Sequence, residues 1–224
     1  MKVPSSVLLL VGSPNKEHST SYSLGSYLME RMKEHGAIID VLFLIDATSD
    51  SGRMEGAIQK MMAADLVILA APIYVDSLPS PVMKFMENAY AWRGPGSLAG
   101  KHILGIVNSA FPERVQSECG MRIMHEFALD LGLAWAGGLI LPEGPMLGGQ
   151  RLEDLGGTAR RVKQALELTA KAIMTGNDTP KEAKDMMAKP MAPAWIYNMV
   201  ANRRFRQRAA ENGAKSRMFD RPHA

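Results

Sequence analysis

The sequence predicts an α/β domain built on a doubly wound parallel sheet, and two patterns carry that prediction. Five short apolar runs rich in branched residues recur along the chain, and the segments between them repeat with the period of a helix. Strands that are apolar at every position suit a sheet covered on both faces, and strand–helix alternation of this kind builds βα units.

The first run, Val7 to Val11, is stopped by Gly12-Ser13-Pro14, and Leu24, Leu28 and Met32 then mark a helix. The second, Ile38 to Ile45, reads as a strand and is followed by Met54, Ala57, Ile58, Met61 and Met62, one helical stripe. The third, Leu66 to Ala71, leads through a proline-rich loop to Ser80-Pro81, which reads as an N-cap with proline at the first helical position. Val82, Phe85, Met86, Ala89 and Tyr90 continue that helix. The fourth run is Ile103 to Val107, with His125 on the helix after it, and the fifth is Ala134 to Leu141. Val162, Ala165, Leu166, Thr169 and Ile173 mark the helix that closes the domain.

Gly176-Asn177-Asp178 breaks the pattern, so residues 1–176 read as one domain and 177–224 as a helical appendage. Thr179-Pro180-Lys181-Glu182 reads as a capping box, and a Met/Pro-rich stretch leads to a final helix near Trp195–Ala210. Charge divides at the same place. The domain carries 16 basic and 18 acidic residues, the appendage 10 and 5, within a whole-chain net charge of +3. The domain is thus not built around a polyanion, and no nucleic acid is expected as a partner. Arg203, Arg204, Arg206 and Arg208 form the sharpest cluster. It reads as a solvated helix face, or as a contact for an anionic lipid surface, a nucleic acid or the 2′-phosphate of NADPH.

Composition excludes several classes of protein. With 46% apolar and 22% charged residues over 224 positions, the chain can bury a core. A single cysteine, Cys119, excludes an internal disulfide framework and a cysteine-ligated cluster; it reads as a small apolar residue. His18, His35, His102, His125 and His223 lack metal-ligand spacing, and the 17 methionines read as core and interface filler. The longest apolar stretch, Leu66 to Val75, has ten residues where a membrane span needs about twenty. The apolar segment near the N-terminus is too short for a secretory signal, so a soluble, cytoplasmic protein is expected.

In an open α/β sheet, ligands bind beyond the carboxyl ends of the strands. After the first strand, Gly12 is followed by Ser13, Asn15, Ser19, Thr20, Ser21 and Ser23, where free amides and the positive end of a helix coincide. That suits a phosphate monoester, and it is equally ordinary cap chemistry. The loop is no G-x-G-x-x-G, and Gly100-Lys101 is no P-loop. After the third strand, Pro72-Ile73-Tyr74-Val75 opens a stiff apolar loop that can offer Tyr74 to a flat heterocycle, or pack it over the sheet edge. After the fourth come Asn108, Ser109, Ala110 and Phe111. No G-x-S-x-G or H-E-x-x-H motif is present.

Taken together, Gly12-Ser13-Pro14 with Ser19-Thr20-Ser21, and Ala71-Pro72-Ile73-Tyr74 through Pro79 with Lys84-Phe85, resemble the flavodoxin-like NAD(P)H-dependent FMN reductases. The match runs over most of residues 5–175, and Pro193 to Asn198 with Arg203 to Gly213 looks like a tail found on some family members. The resemblance implies a five-stranded parallel sheet of order 2-1-3-4-5, a homodimer, FMN as cofactor, NADH or NADPH as donor, and a quinone, flavin or similar small acceptor. It also implies phosphate contacts from Ser13, Asn15, Ser19, Thr20 and Ser21. Ring contacts would come from Pro72, Ile73, Tyr74 and Val75, with Asn108, Ser109, Ala110 and Phe111 alongside. No side-chain acid or base is required, because the flavin does the redox chemistry. Asn15 stands where relatives often carry arginine, so phosphate neutralisation is either weaker or left to Lys16. A flavodoxin-type electron carrier, or a non-redox binding module that uses the basic tail, are the alternatives.

Overall fold

The computed structural model describes residues 1–92 and 98–220. Its centre is a five-stranded parallel sheet in the order β2-β1-β3-β4-β5. The strands are β1 (Ser6–Val11), β2 (Ile38–Phe43), β3 (Leu66–Pro72), β4 (His102–Asn108) and β5 (Ala134–Leu141). The helices are α1 (Thr20–Glu34), α2 (Leu44–Ala47), α3 (Ser51–Ala63), α4 (Ser80–Trp92), α5 (Val115–Leu131), α6 (Arg160–Ile173), α7 (Lys181–Met187) and α8 (Ala194–Glu211). The expected strand order is the observed one.

Two-sided burial explains the apolar runs. Val7, Leu9 and Val11 of β1 point into a core shared with α1, α6 and α7, whereas Leu8 and Leu10 point into a second core with α3, α4 and α5. Every residue of β3, the central strand, is buried. Along each face the side chains alternate, as a pleated strand requires, but both faces are covered.

Three local expectations fail. The second run was expected to stay extended to Ile45 and to be buried on both faces. Instead β2 ends at Phe43, Leu44–Ala47 make a single helical turn, and Ile38 is 75% exposed because β2 is an edge strand. Ser80 is not the N-cap of α4: the carbonyl of Pro79 accepts from the amides of Val82 and Met83 at 2.9 and 3.2 Å, so the helix starts one residue earlier. Thr179 does not cap α7 either. Its amide and hydroxyl both donate to the carbonyl of Ala136, at 2.9 and 2.8 Å, where the β4–β5 register shifts. That irregularity frees a carbonyl from the ladder, and the appendage attaches to it.

Past residue 176 the packing continues. Ala183 and Met187 of α7 are fully buried against α6 and β5. By contrast, α8 has 18 residues and buries none. Cys119, expected as a small apolar filler, is exposed on α5. His223 lies outside the described residues.

Candidate functional site

Parallel strands bring the exits of β1, β3 and β4 side by side, and the predicted loops meet there. The amide of Gly12 donates to the carbonyl of Ala70 at 2.8 Å. A Cβ at Gly12 would lie 2.4 Å from Val82 Cγ2 and 2.8 Å from the Ala71 Cβ, so only glycine lets the first loop leave the sheet this close to β3 and α4.

The first loop runs through a 3₁₀ turn (Lys16–His18) into α1. Ser19 is the N-cap: its hydroxyl accepts from the Tyr22 amide at 3.1 Å and donates to the Lys16 carbonyl at 2.6 Å. Its proton is therefore committed. Thr20 Oγ1 donates to the Gly144 carbonyl at 3.0 Å. Two hydroxyls keep a proton to give. Ser13 Oγ accepts from the Asn15 amide at 3.3 Å, and Ser21 Oγ accepts from Asn108 Nδ2 at 2.8 Å, and neither donates to another residue among those described. The amides of Thr20 and Ser21 lie in the first turn of α1 and have no partner within the helix. Asn15 is exposed, and its side chain makes no cap hydrogen bond to the 3₁₀ turn.

No cation faces this cradle from Lys16, whose Nζ is paired with Asp46 at 2.7 Å. That pair lies on the surface and ties the first loop to α2, the helical turn that the second apolar run concealed.

Asn108 is the hub of the loops. It is buried, and besides Ser21 its Nδ2 reaches the Ala71 carbonyl at 3.3 Å, while its own carbonyl accepts from the Ile73 amide at 2.8 Å. Pro72 pairs with Asn108 in the sheet register, and Ile73 is buried. Ser109 is buried too, with its amide on the Leu141 carbonyl at 3.1 Å. Asn108 and Ser109 thus hold the loops together, whereas Ala110 and Phe111 reach the surface.

Tyr74 to Ser77 form a tight turn in which Tyr74 and Ser77 bond each other's backbone at 2.9 and 3.2 Å. Val75 and Asp76 both have positive φ, +50° and +61°, the type I′ geometry. For a β-branched residue this is a strained conformation. Tyr74 is half exposed, and Val75 is almost completely so.

Two parts of the site had been missed. The loop after β5 crosses to the first loop: besides the Thr20–Gly144 bond, Gly149 sits at φ +69°, where a Cβ would come within 2.3 Å of the His18 carbonyl oxygen. The run Gly144-Pro145-Met146-Leu147-Gly148-Gly149 at the carboxyl end of a strand was a readable signal for it. The second is α8, which lies over the β4 and β5 loops. Its Tyr197 hydroxyl donates to the Ala110 carbonyl. Burial, reinforced by the nearby Glu143 carboxylate, pushes the Tyr197 phenol up from its ordinary pKa.

A family model for NADPH-dependent FMN reductases matches residues 5–117, half of the chain. The chain belongs to that family. It is therefore an FMN-dependent oxidoreductase of the FMN reductase type. Among solved structures it is similar to an NADH:FMN oxidoreductase (EMOB) in its apo form, with a TM-score of 0.58 at 15% identity over 80% of this chain and 94% of that one. An FMN-dependent NADH-azoreductase from Bacillus anthracis, solved with FMN, gives 0.56 at 15% identity over 75% and 99%. An NAD(P)H:quinone oxidoreductase from Methanothermobacter marburgensis gives 0.55 at 13% identity over 76% and 94%. At these identities the likenesses establish the fold. Comparison with curated protein sequences gives no match. Among the described residues no helix is long and apolar enough to cross a membrane.

Proposed function

We propose that the loops after β1, β3 and β4 hold FMN, and that the protein passes electrons from NADH or NADPH to a small oxidised acceptor such as a quinone or a free flavin. The observation that carries this reading is the N-terminus of the 15-residue α1, where free amides of Thr20 and Ser21 sit with the Ser13 and Ser21 hydroxyls. Such an end carries partial positive charge and suits a phosphate ester without a cation.

Residue roles follow. Ser13 and Ser21 would give hydroxyl hydrogen bonds to the phosphate and Thr20 its backbone amide, with Asn15 closing over it. Ser19 would act through the backbone, by capping α1 and fixing the first turn. Pro72 and Ile73 would wall the ring, and Tyr74 would border it. The amides of Val75 and Asp76 would be donors to its polar edge. Asn108 and Ser109 would hold the loops in register, and Ala110 and Phe111 would flank the ring. Bound FMN supplies hydride acceptance and release, so the protein's work is position and electrostatics. Residues 1–176 would be the cofactor-binding unit and 177–224 its basic appendage, in a cytoplasmic protein. A homodimer belongs to the same reading, supported by Trp195 and Met199, which α8 leaves exposed.

The test is a flavin titration of the full chain followed by fluorescence, with NADH and NADPH oxidation assayed beside it. Saturable binding is expected, together with a thermal stabilisation of about 2.7 kcal/mol at a hundred times the dissociation constant. Ser21→Ala should weaken binding about tenfold, the loss of one charge-assisted hydrogen bond. A protein that neither binds FMN nor oxidises either nicotinamide would refute the proposal.

A further inference from the structure

A cavity of about 700 Å³ lies between α8 and the loops that follow β4 and β5. That volume is in the range of small-ligand sites. We propose that it is the second-substrate site, and that it takes a planar aromatic molecule carrying one acidic group, met by the Arg204 guanidinium. The assignment of the ligand as substrate rests on the FMN reading above; the binding chemistry stands without it.

Three observations lead there. The walls are aromatic and aliphatic: Phe111 and Met146 come from the loops, and Tyr197, Val200 and Phe205 from α8. Flat apolar walls of this kind favour a flat apolar ligand. The space is also held open. No residue of α8 is buried, so the helix stands off the domain instead of packing into it. Yet its N-terminal end is anchored. The carboxylate of the fully buried Glu143 accepts from the amides of Met191 and Ala192 at 2.6 and 2.9 Å, and Tyr197 bonds the Ala110 carbonyl.

The third observation is charge. Arg204 lines the cavity, and its one hydrogen bond among the described residues is a long one, 3.5 Å to the Pro145 carbonyl. It makes no ion pair there, and neither does Arg208, which lines the same space. Among the described residues Glu211 is the only acid in the lining; Glu143 beneath takes two amides on Oε2, while its buried Oε1 has no hydrogen-bond partner among them. An unpaired guanidinium beside apolar walls selects an anion over its neutral isostere. Ala110 and Phe111 line this cavity and also belong to the loop proposed to flank the flavin, so a ligand here would lie at the ring's edge.

The experiment titrates the full-length chain with 2-naphthoate and with its uncharged amide, 2-naphthamide, by calorimetry. The acid is expected to bind about tenfold more tightly, equivalent to about 1.4 kcal/mol. Arg204→Gln should bring the two within about twofold, and Val200→Trp, which sets an indole into the space between α8 and the loops, should weaken both at least about tenfold. In turnover, R204Q should raise KM for anthraquinone-2-sulfonate with kcat unchanged, leaving the FMN dissociation constant and both nicotinamide KM values in place. Equal binding of acid and amide, or a preference that survives R204Q, overturns the proposal. So does an R204Q effect confined to the KM for NADPH, which would give the cavity to the dinucleotide phosphate. If neither probe binds and sedimentation shows a dimer that V200W disrupts, a second copy of the chain fills the space and the proposal is likewise overturned. Acid preference without FMN binding would support the cavity and sink the oxidoreductase reading; FMN binding without acid preference would do the reverse.

Discussion

Removing the side chain of Asn108 is the sharpest test of how this site is built. Its Nδ2 is shared between Ser21 Oγ at 2.8 Å and the Ala71 carbonyl at 3.3 Å, and the residue is buried. In Asn108→Ala both bonds disappear and no water-exposed route replaces them. Two buried hydrogen bonds at about 1 kcal/mol each set the loss near 2 kcal/mol, with the small cavity left behind adding up to about 1 kcal/mol. For a domain of this size that lowers the thermal midpoint by about 4–12 °C. Asn108→Asp separates the two contributions. The shape is kept and Ser21 can turn its proton toward the carboxylate, but the Ala71 carbonyl loses its donor and a buried negative charge sits beside the proposed phosphate cradle. Urea unfolding with and without FMN reads both effects. N108A should lose stability and weaken FMN several-fold, and N108D should weaken FMN much further at a similar cost in stability. An N108A protein within about 0.5 kcal/mol of the wild type, with unaltered FMN affinity, would refute the claim that this amide ties the loops together.

Two further perturbations probe the scaffold and the ring loop. Asp65, held by the Ser5 hydroxyl and the amides of Ser5 and Ser6, has its pKa lowered from 3.8 to about 2. Because the folded value is the depressed one, its stabilising effect is present above the unfolded value and is lost as pH falls toward the folded one. Asp65→Asn should therefore unfold at lower urea than the wild type at pH 6, with the gap closing between about pH 4 and pH 2; a gap independent of pH would exclude the linkage. Val75, at φ +50° and almost fully exposed, should gain about 1 kcal/mol on replacement by asparagine, which tolerates this backbone better. A V75N protein that unfolds more easily would mean that the valine side chain is packed against something.

Much of the scaffold was legible because its signals are local. The strand runs and the helical stripes depend on residues a few positions apart, and the hydroxyl-rich stretch from Ser13 to Ser23 could be placed at a strand exit without coordinates. What could not be read was which of those hydroxyls are already spoken for. Ser19 as a cap and Thr20 on the Gly144 carbonyl differ from Ser13 and Ser21 only through their partners. Lys16 pairs with Asp46, a residue of a helical turn that the apolar run Ile38 to Ile45 concealed.

By itself the amino-acid order determined the class of the domain, the number of its strands and the loops that meet at the strand exits, since period and turn chemistry act over a few residues. Only the tertiary structure decided that Asn108 reaches Ser21 across 87 positions, that Thr179 bonds Ala136 instead of capping a helix, and that α8 stands over the β4 and β5 loops with Arg204 unpaired among the described residues. Those outcomes depend on which strand lies beside which, and on a carbonyl left open by a register shift between β4 and β5. Pairings between distant residues leave no periodic trace in a single sequence, because either partner looks ordinary until the fold brings the other within reach.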